Sequence, residues 1–194
     1  METMQSRWAS RFIGMTFVLG GVAWIVFALL VLGNVLAGMG NFVLGPATSR
    51  IVAGGGAGSW FTMGILAYLI VGVGGVGFTA FFYQHIEATM GSPLTGWRKA
   101  GAWVHLLLGG LGSAGASLLM AWGGFQAGAA LLTTDLGGGG QNVPYVHANI
   151  LNPIVVPIAV LMGIALLGYL VGGIVLATAW RVARTKSASA KDAP

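Results

Sequence analysis

The chain has 194 residues, 56% of them hydrophobic and only 7% charged, with a mean hydropathy of +0.86 and a formal net charge of +5. A soluble domain carries about 25% charged residues, so this composition excludes a water-coated globule, and the wealth of apolar side chains excludes intrinsic disorder. Cysteine is absent, which removes disulfides, thiolate nucleophiles, iron–sulfur clusters and thiolate zinc sites from consideration.

Four apolar runs follow one another, over about 12–39, 60–83, 101–132 and 154–180. None contains Asp, Glu, Lys or Arg. Each exceeds the roughly 20 residues a helix needs to cross the hydrocarbon. They are continuous rather than alternating, so they read as helices and not as barrel strands. The expected fold is an all-α integral membrane protein with one four-helix transmembrane domain over 1–184. The first run has a basic start, but it is far longer than the apolar core of a secretory signal, so it reads as a retained helix. The 34 glycines follow no three-residue period, which excludes collagen, and glycine is frequent in membrane helices.

Orientation follows from the basic residues. Arg7, Arg11, Arg98, Lys99, Arg181, Arg184, Lys186 and Lys191 all fall on one side of the runs, and only Arg50 on the other. The positive-inside rule then puts both termini in the cytoplasm of a multi-pass protein of the plasma or inner membrane. Topology thus accounts for the positive charge, and no nucleic-acid partner is implied. Trp8, Trp97, Trp103 and Trp180 suit the inner interface, Trp60 and Trp122 the outer one. The residues from Thr185 to Pro194 read as a disordered tail. Two nearly neutral glycine-rich loops, Gly40 to Ser59 and Thr133 to Pro153, lie on the outer side. Loops so poor in charge are expected to lie on the membrane or under another subunit.

A faint repeat runs through the chain. Met63-Gly64-Ile65 recurs as Met162-Gly163-Ile164, and Leu19-Gly20-Gly21 as Leu108-Gly109-Gly110. Two tandem helical hairpins of like orientation would give this pattern.

The third run carries the clearest geometric signal. His105, Gly109, Ser113, Ser117 and Ala121 recur every fourth residue and so share one helix face. Small residues at this spacing let another backbone approach closely. Gly168 and Gly172 offer a matching stripe in the fourth run, and Gly64, Tyr68 and Gly72 one in the second. The first expectation for these stripes is tight helix packing. The sharper alternative is a smooth face for a lipid, a quinone, a carotenoid or a haem edge.

His105 is the one ionisable group inside an apolar run, and such residues are default functional candidates. It reads either as a histidine hydrogen-bonded to a neighbouring helix or as a haem ligand or proton relay. A two-histidine haem would need His85, which ends the second run on the same side. His85 and Glu87 together read as a solvated helix end rather than a metal site, since further ligands are lacking. His147 stands on the opposite side. GVGGVG over 72–77 sits mid-span instead of after a strand, which rejects a nucleotide loop. No nucleophile–base pair and no buried carboxylate for transport are evident.

The stretches His105-Leu106-Leu107-Leu108-Gly109 and Leu118-Leu119-Met120-Ala121-Trp122-Gly123-Gly124, with Tyr145-Val146-His147 ahead of a Pro-opened helix, resemble membrane helices of respiratory proteins. The similarity is to haem–copper oxidases and the small polytopic subunits that accompany them. The paired metal-ligand histidines of a catalytic oxidase subunit are absent, so the resemblance implies an associated subunit, surrounded by membrane lipids and other membrane subunits. Three functions are therefore expected in order: an accessory subunit of a membrane-embedded, energy-converting complex; a cytochrome b-like haem-binding electron-transfer subunit; and a small oligomeric transporter or channel.

Overall fold

The computed structural model describes residues 6–191, with side chains to Lys186. It is helical almost throughout, and four of its helices are long and apolar enough to cross a membrane: α1 (Arg7–Gly38), α3 (Gly56–Thr89), α4 (Trp97–Leu131) and α5 (Val143–Lys186, its backbone continuing helically to Lys191). A short helix, α2 (Thr48–Ala53), lies between the first two. The helix thus enters the Ser/Ala/Lys-rich segment expected to be disordered, and 192–194 lie outside the described residues.

All four helices begin earlier than hydropathy predicts, and the first turns of α1 and α4 carry Trp and basic residues that an apolar run does not include. α4 starts with Trp97-Arg98-Lys99, and α5 starts 11 residues before Ile154. The start of α5 is set by a local cap: Asn142 accepts a hydrogen bond from the Tyr145 N–H, and Pro144 occupies the first turn, where its missing N–H costs nothing. Pro153 and Pro157 therefore lie within the helix instead of opening it. A π-helical turn over His147–Leu151 precedes Pro153, at a place where proline cannot donate to the preceding turn.

α4 is the central element. Its most apolar window is 56% buried, against 11–22% for the other three spans. It packs along α3 on one side and α5 on the other, while α1 packs mainly on α3. Glycine makes both seams of α4 close. At one end a Cβ on Gly64 of α3 would fall 2.7 Å from the Ala121 Cα, and one on Gly124 would fall 2.7 Å from the Phe61 Cα. At the other end a Cβ on Gly168 of α5 would fall 2.8 Å from the Gly109 Cα, and one on Gly112 would fall 3.1 Å from the Ala165 Cα. The small-residue stripes thus pack α4 against its neighbours.

The repeated segments do not pack alike. Gly64 is pressed against α4, whereas its counterpart Gly163 has nothing within 4 Å; the same contrast holds for Gly109 and Gly20.

The second glycine-rich loop closes one end of the bundle. The N–H groups of Gly139, Gly140 and Gln141 donate to the carbonyls of Ala129, Leu132 and Ala130, which would otherwise be left open at the C-terminus of α4. Gly137 makes this return possible with φ +78, a left-handed conformation that other residues avoid. α2 covers the same end, with Ile51 buried against Gly58 and Gly128. Both loops therefore fold back on the chain's own helices.

Candidate functional site

Polar groups collect at the other end of the bundle, where α1 begins, α3 ends and α4 begins. His105 starts a π-helical stretch of α4 (His105–Leu111) and is 5% exposed. The stripe on His105, Gly109, Ser113, Ser117 and Ala121 is buried along its whole length, as its four-residue period predicts. The imidazole Nδ1 lies 3.3 Å from the Tyr83 hydroxyl of α3. The ring meets Phe12 of α1 edge-on at 5.2 Å and Tyr169 of α5 at 5.9 Å between centroids. A Cβ on Gly172 of α5 would overlap the imidazole itself. Four helices therefore converge on this one side chain, and glycine at 172 is what gives it room.

His85 is not part of this cluster. It is exposed, two residues beyond Tyr83, which turns it roughly 200° around the helix. The Nδ1 side of His105 is filled by Tyr83, and Gly172 closes on the ring. These contacts do not fit a haem held between His105 and His85. None of the five clefts described in the structure is lined by His105. His147 is exposed at the far end. Among the described residues, no three His, Cys, Asp or Glu side chains gather in a metal-binding group.

Several other polar groups of the long helices pair within the bundle. The Tyr169 hydroxyl donates to Ser113 Oγ at 3.0 Å, and Ser113 donates to the Gly109 carbonyl at 2.7 Å. The Tyr68 hydroxyl donates to the Leu19 carbonyl of α1 at 2.7 Å. Such bonds matter because a buried polar group left unpaired costs about 1–3 kcal/mol.

Glu87 departs from the sequence expectation of a solvated helix end. The residue is 9% exposed. It accepts from Ser6 Oγ at 2.6 Å, from the Trp8 N–H at 3.2 Å and from the Leu94 N–H at 3.1 Å. It thereby ties the N-terminus of α1 to the end of α3 and to the loop that follows. Ser6 caps α1 by accepting from the Ala9 N–H. A carboxylate beside the positive end of a helix dipole is favourable. Sequence patterning offers no signal for this role, because Ser6 and Glu87 are 81 positions apart.

A second feature is a lateral cleft of ≈ 180 Å³ between α3 and α5, floored by α4. Ser113, Ala116, Ser117 and Ala165 make it smooth, Met120 and Met162 flank it, and the Tyr169 side chain lies at one end. Gly168 and Gly172 lie outside this cleft, on the seam with α4. The stripe residues thus divide: Gly109 closes a helix seam, while Ser113 and Ser117 also face an opening at the side of the bundle.

Comparison with family models, with curated proteins and with solved structures finds no match to this chain.

Proposed function

We propose that this chain is an accessory, structural subunit of a larger membrane-embedded complex, and that the cleft on α4 receives an apolar helix of a neighbouring subunit. The observation that carries this reading is a lateral cleft that the chain's own helices leave open beside the buried α4 stripe. Around His105 and Gly109 the polar and small groups are used up by the chain's own helices. Beside them, a cleft runs from Ser113 to Met120 on α4 and from Ile158 to Tyr169 on α5, with Met162 and Leu166 exposed along it. Ser113 and Met120 are seven positions apart, or about 10 Å at 1.5 Å per residue, which is two helical turns. Small residues admit a close backbone, and the flexible methionines beside them adapt to an irregular partner. The resemblance of the 105–124 stretch to oxidase-associated subunits favours an energy-converting complex. The enclosed His105 supports packing over haem ligation.

The test is site-specific photocrosslinking in native membranes. A photoreactive residue replaces Met120 or Met162 in the cleft, or Val156 on an exposed face of α5 away from it. Discrete protein adducts from the two cleft positions, and none from Val156, are expected. Adducts to lipid alone at all three positions would overturn the proposal. A bound quinone would be seen as a small, fixed mass increment at the cleft positions, and this too counts against it.

A further inference from the structure

The end of the bundle that holds Glu87 carries more positive charge than its own carboxylate answers. Arg7, Arg11 and Lys99 line one pocket of ≈ 340 Å³, together with Ser6, Trp8, Glu87, Pro93 and Leu94. Among the described residues, none of the three cations forms an ion pair with a carboxylate. Glu87 is held instead by Ser6 and two backbone N–H groups. The cations are also placed against the helix dipoles. Arg7 and Arg11 stand in the opening turns of α1, and Arg98 and Lys99 in that of α4, with no acidic residue in either first turn. Cations at helix N-termini are unfavourable, and an anion there is favourable. The start of α4 has no side-chain cap at all. Arg11 does not swing freely: its guanidinium lies 4.5 Å from the Trp8 ring and 4.7 Å from the Trp103 ring, a cation–π clamp.

We infer that this pocket binds the phosphate of an anionic phospholipid headgroup, with Arg7, Arg11 and Lys99 supplying the positive charge. An arginine fork fits phosphate oxygens, and lysine adds a point charge. The lipid source is favoured over a free phosphate by what surrounds the pocket. Trp8, Trp97 and Trp103 cluster at this end, and such residues sit at headgroup level. Exposed apolar side chains lie next along the same helices, Ile13 and Phe17 on α1 and Leu107 and Leu111 on α4, where acyl chains would run. Basic pockets between spans at one membrane face are the known form of such sites. The inference rests on the membrane-spanning reading but is independent of any partner subunit.

The experiment uses the full chain reconstituted in vesicles of phosphatidylcholine, with phosphatidylglycerol added as the probe. Enrichment of phosphatidylglycerol around the protein is read by native mass spectrometry and by fluorescence quenching with a brominated form of that lipid. Arg7→Gln combined with Lys99→Gln removes two pocket charges. Arg181→Gln combined with Lys186→Gln removes two at the same end outside the pocket. At about fivefold per basic group near a membrane surface, the pocket pair should lower the preference for phosphatidylglycerol about 25-fold, and the control pair should change it less than threefold. Equal losses in both pairs would mean diffuse attraction and would overturn the pocket. No loss in the pocket pair would do the same. Displacement of the lipid by millimolar glycerol phosphate would show a free-phosphate site and overturn the lipid assignment. Resistance of every variant to alkaline carbonate extraction separates these outcomes from failure to insert.

Discussion

Gly168→Ala should loosen the bundle, while Gly173→Ala, five residues further along the same helix, should not. A Cβ at 168 would stand 2.8 Å from both the Gly109 Cα and the Leu108 carbonyl carbon, and would overlap the Gly109 nitrogen. Ordinary contact begins near 3.4 Å, so α4 and α5 would have to part by more than half an ångström. All of the crowding atoms are backbone, so no rotamer change can relieve it. The same seam holds Gly112 against Ala165 and Gly172 against His105, so the displacement reaches the His105–Tyr83 contact. Overpacking of this kind costs about 1–3 kcal/mol. Gly173 has nothing within 4 Å; alanine there gains about 0.5–1 kcal/mol from the lower entropy cost of ordering it. The two variants should differ by about 1.5–4 kcal/mol. Reversible unfolding in mixed micelles, titrated with SDS and followed by helical circular dichroism, measures this difference. Two variants equal within about 0.5 kcal/mol would refute the close-seam argument.

Glu87→Gln keeps the shape but loses the charge, and its amide nitrogen has to face donors; a loss of about 1.5–3 kcal/mol is expected, with faster amide exchange at Trp8 and Leu94. His105→Leu and Tyr83→Phe should each destabilise by about 1–3 kcal/mol, and a double-mutant cycle should return a coupling above about 0.5 kcal/mol; strict additivity would show that the 3.3 Å contact contributes nothing. Ser113→Leu should disturb the bundle more than a change at Leu111, because Ser113 is 6% exposed and Leu111 is 49% exposed; equal effects would mean that the stripe faces lipid. Reporter fusions after Arg184 should read as cytoplasmic, and an external signal would reverse the orientation inferred from the basic residues.

Much of the fold was legible because its main signal is one-dimensional. Long uncharged runs locate four helices, and a four-residue period finds the buried face of α4 from His105 to Ala121. Hydropathy placed the four starts four to eleven residues late, because it does not register polar and aromatic first turns such as Trp97–Lys99, while the ends of α1 and α4 fall within one residue of the expected 39 and 132. The short helix α2 sits in a glycine-rich loop of six-residue helical length, too brief for any period to register. Long-range partners were not legible either. Glu87 meets Ser6 only because the start of α1 lies beside the end of α3, and Tyr83 rather than His85 faces His105 because of helix phase. The repeated segments carry the opposite lesson. Gly64 and Gly163 sit in matching tripeptides, yet only one has a neighbour to touch.

The central claim is that this chain works as part of a larger assembly. Blue-native electrophoresis of gently solubilised native membranes, followed by detection of this chain, tests it most directly. The account predicts that the chain migrates in a discrete band far above 19.8 kDa with other membrane subunits, and that Met162→Trp, at an exposed position on the cleft, releases it. Migration alone or as a homo-oligomer, unchanged by that substitution, would contradict the account.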